Sequence, residues 1–247
     1  MNDGLRIFWN RFFKPDWKFG LFLLLIICIP RFLLVLQANE TGNYGYIGII
    51  MFISATVPFI FMNSHGRKEI GIVKTNNLKA LVYALLAGLV LSYLLYLIGN
   101  YLYAGTYKNW YEYIGKSYNI PAEITGQEKK IMFAIMAITG MTFSPVGEEF
   151  FFRGIVHHSF ANSIGDKKAS IIDSLAFSFT HISHFGLVFI NNTWDFYLIP
   201  ALIWVISMFF VSIIFFQMKR ITGSIWGAVL CHSGFNLGMI YCIFYLI

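Results

Sequence analysis

Residues 141–160 read MTFSPVGEEFFFRGIVHHSF, and this stretch decides the fold. It belongs to an apolar run at 131–158, which is longer than the roughly 20 residues that a helix needs to cross the hydrocarbon core. Three charged side chains, those of Glu148, Glu149 and Arg153, nevertheless lie inside the run. A charge at the centre of a membrane helix costs about 2.5–3.5 kcal/mol, so such residues are functional candidates by default. The stretch therefore predicts a membrane helix that carries polar chemistry.

The whole chain has the composition of a membrane protein. Apolar residues make up 57% and charged residues 12% of its 247 positions, whereas soluble domains average roughly 25% charged residues. So few charges cannot coat a soluble globule, and the apolar content excludes a disordered chain. Basic loops that face the cytoplasm and anionic lipid account for the net charge of +6. We therefore expect the lipid bilayer as a partner and no nucleic acid.

Seven apolar runs are long enough to cross a membrane, and helix is expected for each because a chain in hydrocarbon must satisfy its own backbone hydrogen bonds. They lie at 17–37, 44–63, 78–99, 131–158, 168–190, 197–218 and 222–246. Pro30 and Pro145 predict kinks or breaks in two of them. The predicted fold is all-α, a polytopic transmembrane helix bundle of about seven spans (six to eight). Residues 1–247 are expected to form a single integral membrane domain, in which 1–130 supply the N-terminal spans and an outer loop and 131–247 supply the helices of the candidate site.

Lysine and arginine are unevenly divided between the two sides of this predicted bundle. With the N-terminus inside and seven alternating spans, the inner segments carry 12 of the 18 basic residues and the outer segments carry 4, while Arg31 and Arg153 lie within spans. Cytoplasmic loops are enriched in Lys and Arg. The N-terminus is therefore predicted to be cytoplasmic, and we expect a multi-pass protein of a prokaryotic cell membrane.

Two further apolar runs carry polar clusters, like the cluster of Glu148, Glu149 and Arg153 in the run at 131–158. One reads IIDSLAFSFTHISHFG at 171–186, and the other reads SIWGAVLCHSGFN at 224–236. Counted at 1.5 Å per residue, Glu148, His181 and His232 reach similar depths between the bilayer centre and the inner face. We expect these side chains to meet at one site in the cytoplasmic half of the membrane.

Helical spacing predicts which of these side chains share a face. Glu149 and Arg153 stand four residues apart and can form an ion pair. Glu148 is rotated by about 100° from Glu149, so it is expected to lack that partner and to be available as a general base. His232 and Asn236 also stand four residues apart and point toward one locus.

These residues resemble the three signatures of the CPBP family, the CAAX proteases and bacteriocin-processing intramembrane proteases. The matching positions are, in chain order, Glu148, Glu149 and Arg153 for the first signature, Phe177 and His181 for the second, and His232 and Asn236 for the third. The likeness covers roughly residues 130–245. Each signature alone fixes only two or three positions, but all three occur in order on apolar helices.

The resemblance implies an intramembrane endopeptidase that acts on a peptide or a lipidated protein. The catalytic residues that it implies are Glu148, Glu149, Arg153, His181, His232 and Asn236. In this interpretation Glu148 takes a proton from a water that His181 helps to hold, and His232 and Asn236 stabilise the oxyanion. Glu149 and Arg153 fix the helix and the local field. A carboxylate can accept such a proton, and imidazole and amide donors can stabilise a developing negative charge.

The residues leave the question of a metal open. Members of this family are often called metalloproteases, and histidine and glutamate are suitable zinc ligands. If zinc is bound, the expected ligands are Glu148, His181 and His232, with His184 as a candidate extra ligand. The chain contains no HExxH motif, and the spacing fits a glutamate-activated water equally well, so zinc is a possible cofactor only.

Two alternatives belong to other classes of protein. Glutamate and histidine chains within the membrane also form proton relays, so a proton-coupled membrane transporter would show polar residues along a path through the bilayer. The clusters found here share one depth instead, which favours a protease. A non-catalytic immunity or scaffold membrane protein on the same fold is the other alternative. The sequence does not give the substrate or the oligomeric state.

Overall fold

The computed structural model describes residues 4–121 and 124–247, and helices dominate this part of the chain. The α-helices are α1 (Trp17–Thr41), α2 (Gly45–Phe61), α3 (Ser64–Glu69), α4 (Leu78–Tyr103), α5 (Trp110–Ser117), α6 (Gly126–Glu149), α7 (His157–Ile164), α8 (Asp166–Thr180), α9 (Leu198–Thr222) and α10 (Ile225–Tyr245). A π-helical segment, Phe150–Val156, joins α6 to α7, and short 3-10 turns lie at Trp9–Arg11 and His181–Ser183. Two short strands, β1 (Leu187–Ile190) and β2 (Thr193–Phe196), complete the described elements.

Five stretches of helix in this part of the chain are long and apolar enough to cross a membrane. They are α1, α4, the continuous stretch Gly126–Ile164, α9 and α10. Helix α2 is apolar but has only 17 residues. The helical, polytopic character is therefore confirmed, while five helices have the length and hydropathy of a span and the count of about seven is not confirmed.

The run at 168–190 does not form one long helix. Helix α8 has 15 residues, and the chain then turns through His181–Ser183 into an antiparallel hairpin in which Ile190 pairs with Thr193. Asn191 and Asn192 both adopt positive φ, at 50° and 62°, which is the conformation that a two-residue hairpin turn requires. The all-α architecture thus includes one short hairpin, because residues 187–190 form a strand and the paired asparagines that follow them favour the turn into β2.

Neither of the two prolines that predicted a kink or break ends its helix. Helix α1 continues through Pro30 and α6 through Pro145, as membrane helices allow when neighbouring groups satisfy the freed carbonyls. Beyond Glu149 the backbone widens into the π-helical segment, whose seven residues are all buried. Such segments are frequent at functional sites, and this one directly follows the Glu148–Glu149 pair.

Small residues bring α10 against α4. A Cβ atom added to Gly88 would overlap the carbonyl oxygen of Cys231, and one added to Gly234 would overlap the carbonyl oxygen of Leu85. Close backbone approach at small residues is the usual way in which membrane helices associate, since lipid offers no hydrophobic drive between them. The contact fixes α10, and with it His232 and Asn236.

We expect Gly88→Ala to destabilise the bundle by about 1–3 kcal/mol, the typical cost of overpacking, because the new methyl group meets backbone that cannot move aside. Gly48→Ala on α2 is the matched control, since no atom lies within 4 Å of its added Cβ. The control should gain up to about 1 kcal/mol of helix propensity. Thermal unfolding of both variants in detergent tests this, and equal stability of the two would contradict the close contact.

Candidate active site

Residues of seven helices, α1, α2, α5, α6, α8, α9 and α10, line a cavity of about 160 Å³ inside the bundle. Its polar lining comes from Arg31, Tyr44, Tyr118, Ser144, Glu148, His181, His184, His232 and Asn236, and the remaining wall is apolar. Four of the six predicted site residues, Glu148, His181, His232 and Asn236, thus face one hollow. The other two, Glu149 and Arg153, lie behind it and are fully buried.

Glu148 is held at the cavity by a partner that the sequence analysis missed. Its Oε1 atom accepts hydrogen bonds from Arg31 Nη2 at 2.9 Å and from Ser144 Oγ at 2.5 Å. The same guanidinium donates from Nη1 to Thr180 Oγ1 at 3.0 Å. Glu148 and Arg31 are only 2% and 3% exposed, so this is a buried ion pair. The expectation that Glu148 lacks a cationic partner was therefore wrong, because the partner comes from a helix 117 residues away.

The second carboxylate oxygen of Glu148 is left for the cavity. Oε2 makes no hydrogen bond to any described residue, and it lies 3.9 Å from Nε2 of His181. Nδ1 of His181 lies 2.7 Å from the carbonyl oxygen of Phe177, which can only accept, so Nδ1 carries the proton. In the neutral ring Nε2 then presents its lone pair. Two acceptor atoms, Oε2 of Glu148 and Nε2 of His181, thus face each other, and the 3.9 Å between them is wide enough for one molecule that bridges both.

The predicted ion pair between Glu149 and Arg153 is present, with Arg153 Nε 3.2 Å from Glu149 Oε2 and neither side chain exposed. Arg153 also donates from Nη2 to Ser212 Oγ at 2.5 Å. The other oxygen of Glu149 lies 2.8 Å from Nδ1 of His232. A carboxylate only accepts, so His232 donates here and turns its Nε2 edge away from Glu149. Glu149 therefore has two roles: one oxygen neutralises Arg153, and the other orients His232.

The phenylalanine of the second signature joins two parts of the site. The Arg153 guanidinium lies 4.3 Å from the centre of the Phe177 ring, a distance at which a cation is attracted to an aromatic face. The ring of His181 lies 4.3 Å from the same ring. Phe177 thus packs between the buried cation and the imidazole, and it fixes the position of His181.

Asn236 lies one helical turn beyond His232. Its Nδ2 atom donates to the carbonyl oxygen of Gly140 at 2.9 Å, and Ser233 Oγ donates to the carbonyl oxygen of Met141 at 2.6 Å. These bonds tie α10 to α6. An amide nitrogen carries two hydrogens, so one N–H of Asn236 remains beyond the bond to Gly140.

Arg31, Ser144 and Thr180 are the site residues that sequence reasoning missed. The signal was present for Arg31, since it is a lone charge within an apolar span and such charges mark functional sites. Its position next to Pro30 made it look like part of a helix interruption instead. Ser144 and Thr180 carry no such signal, because hydroxyl groups in membrane helices commonly bond to their own backbone.

A separate polar network lies on the far side of the π-helical segment. His157 Nδ1 is 2.6 Å from Asp173 Oδ2, and its Nε2 is 2.9 Å from Asp166 Oδ1. Lys219 Nζ donates to the carbonyl oxygen of Arg153 at 2.6 Å. Asp173 is fully buried in this network and belongs to the support of the bundle and not to the lining of the cavity.

The conditional zinc ligands do not form a metal site. Among the described residues, no group of three or more His, Cys, Asp or Glu side chains is placed to hold a metal ion. Glu148 Oε1 is occupied by Arg31 and Ser144, and the guanidinium would repel a divalent cation bound to the same carboxylate. Glu148, His181 and His232 therefore do not fit zinc, and His184 adds no ligand set.

Comparison with known families gives a match to the second half of the chain. The family model described as Rce1-like, "Type II CAAX prenyl endopeptidase Rce1-like", matches residues 130–238. No curated protein and no solved structure matches the chain. The match confirms the resemblance that the three signatures indicated. It runs from the first turns of α6 into α10, so it includes all six predicted site residues and leaves out α1 with Arg31.

Proposed function

Residues 130–238 belong to the CPBP family, and from this membership we propose that the chain hydrolyses a peptide bond within the membrane by means of a water that Glu148 activates. The family supports a CAAX-type intramembrane protease with a peptide or protein substrate. The observation that carries the mechanism is the free Oε2 atom of Glu148, 3.9 Å from Nε2 of His181 in a buried cavity.

The proposed nucleophile is a water that donates to both acceptor atoms. Each such hydrogen bond has a length of about 2.7–2.9 Å, so one water can span the gap between Oε2 and Nε2. As its oxygen attacks the carbonyl carbon of the substrate, one water proton passes to Glu148. The same proton then goes to the leaving amine as the C–N bond breaks, which gives a carboxylic acid and an amine.

His232 and Asn236 are proposed to stabilise the negative charge that develops on the carbonyl oxygen. Asn236 offers its remaining N–H, and a protonated His232 offers Nε2–H. The carboxylate of Glu149, 2.8 Å from Nδ1, orients the ring, as a buried acid does for the histidine of a catalytic triad. Donors that are already oriented in a dry site are worth far more than donors in water.

Arg31 is proposed to keep Glu148 ionised. A carboxylate buried to this extent loses most of its solvation, and a cation 2.9 Å away compensates for it. Because Arg31 and Ser144 both bind Oε1, they also turn Oε2 toward His181. No step of the mechanism runs through a metal.

We expect Arg31→Ala to lower the rate of cleavage by about 100-fold, the lower end of what general-base catalysis supplies, because Glu148 loses the cation that supports its charge. Arg11→Ala at the exposed N-terminal segment is the matched control and should leave the rate unchanged. Added methylguanidine should restore part of the activity of Arg31→Ala by occupying the vacated space beside the cavity. Failure of rescue in a folded Arg31→Ala protein would assign Arg31 a structural role only.

The proposed function is tested by comparing the membrane peptides of cells that express the wild-type chain with those of cells that express Glu148→Gln at equal level. We expect a set of cleaved peptides that is present with the wild type and absent with the variant. The new termini in that set identify the cleavage site. Identical peptide sets in the two strains would contradict an endopeptidase that uses Glu148.

A further inference from the structure

We infer that the substrate reaches this site from the non-cytoplasmic side of the membrane, so that the substrate is an exported or membrane-inserted peptide presented from that leaflet. The inference rests on the proposed function. Its grounds are the charge difference between the two ends of the bundle and the direction in which the cavity runs.

The two ends of the bundle are defined by contacts between connecting segments. At one end, Trp17 N donates to Ser163 Oγ at 2.9 Å and Thr75 Oγ1 donates to the carbonyl oxygen of Thr222 at 2.8 Å. At the other end, Tyr44 OH donates to Ser117 Oγ at 2.7 Å. The first end comprises the segment before α1 and the start of α1, the segment from α3 to α4, the α7–α8 junction and the α9–α10 turn. The second comprises the α1–α2 turn, the α4–α5 turn, α5, the start of α6 and the hairpin.

The first end is the basic one. It carries 12 Lys and Arg residues, whereas the second end carries only Lys108, Lys116, Lys129 and Lys130. Because basic residues accumulate in cytoplasmic segments, the basic end is assigned to the cytoplasm. The end with α5 and the hairpin then faces the opposite compartment.

The cavity extends away from the basic end. Its floor holds Glu148 and His232, and His232 lies only seven residues from the start of α10 at that end. Its upper wall holds Tyr44 at the α1–α2 turn, Ile114 of α5 and Tyr118, the residue after α5. The proposed catalytic groups therefore lie toward the basic half, while the hollow leads from them to the other end.

The basic side of the floor is closed by packed side chains. All seven residues of the π-helical segment Phe150–Val156 are buried beneath it, and Lys219 Nζ caps the carbonyl oxygen of Arg153. The hollow at the basic end, lined among others by His157 and Asp166, shares none of its described lining residues with the cavity. A peptide in the cytoplasm would have to displace this layer.

A groove between α2 and α6 continues the cavity sideways. The two share Tyr44, Ile47, Tyr118, Gly140, Ser144 and Ile240. The wall of the groove is mainly apolar and includes Met132, Met136 and Phe143, so it suits an apolar segment that lies in the bilayer. Since the groove also lies on the side of α5, such a segment would approach from the leaflet remote from the basic end.

Cysteine labelling tests the direction of access without reference to cleavage. In a chain whose native Cys28, Cys231 and Cys242 are replaced by alanine, single cysteines are placed by Met239→Cys in the cavity and by Lys74→Cys at the basic end. We expect a membrane-impermeant maleimide to label Met239→Cys in spheroplasts and Lys74→Cys only in inverted vesicles. Tyr118→Cys gives a second cavity position if the first variant does not fold.

Cavity cysteines that react only in inverted vesicles would overturn the inference, and so would cavity cysteines that react equally from both sides. Impermeant reagent added to spheroplasts should also abolish cleavage by Met239→Cys, and a fully labelled protein that still cleaves would overturn this route for the substrate. The proposed function fails separately: if the single-cysteine variants label as expected but the wild-type chain yields no cleaved peptides, the protease is rejected and the direction of access is not.

Discussion

Glu148→Gln is expected to reduce the rate of peptide cleavage by at least about 10⁴-fold, the upper end of what a general base contributes. The amide has the shape of the carboxyl group but cannot take a proton from water. Its oxygen can still accept from Arg31 and Ser144, so the fold of the site should remain. Cleavage of an identified substrate by the purified variant, measured under single-turnover conditions, provides the rate.

Glu128→Gln is the matched control for this variant, because Glu128 lies on the same helix and is exposed. It should retain the wild-type rate. Gel filtration and thermal unfolding in detergent establish that Glu148→Gln is folded. A folded Glu148→Gln protein that cleaves at the wild-type rate would remove Glu148 as the base and with it the proposed mechanism.

Local sequence patterns predicted the parts of the site that depend on a single helix. The four-residue spacing of Glu149 and Arg153 fixes both side chains on one face, and the ion pair is there at 3.2 Å. The family match over residues 130–238 confirms the resemblance that was drawn from the three signatures. The catalytic roles of the individual residues stay predictions until variants are measured.

The parts that sequence did not predict depend on contacts between distant segments. Arg31 meets Glu148 across 117 positions, and His232 meets Glu149 across 83. Periodicity on one helix contains no information on which other helix will supply a partner. The same limit applies to residues 168–190, because hydropathy alone does not separate one long helix from α8 followed by a hairpin.

The adjacent carboxylate, that of Glu149, is expected to matter for the stability of the fold. Glu149→Gln is expected to lower the free energy of unfolding by about 3–5 kcal/mol, the cost of leaving one member of a buried ion pair without its partner. Arg153 is fully buried and has its charge balanced by Glu149 at 3.2 Å. Thermal or denaturant unfolding in detergent measures the loss, with Glu128→Gln again as the exposed control. Unchanged stability of Glu149→Gln would show that the pair does not hold the helix.

A double variant separates the two roles of Glu149. Replacing both charges, in Glu149→Gln with Arg153→Met, removes the unpaired cation, and such replacements are often neutral for stability. Stability should therefore return toward the wild-type value. Cleavage should not return, because His232 still lacks the carboxylate that orients it through Nδ1 at 2.8 Å. Recovery of both stability and cleavage would mean that Glu149 serves only to balance Arg153, and the proposed support of His232 would be wrong.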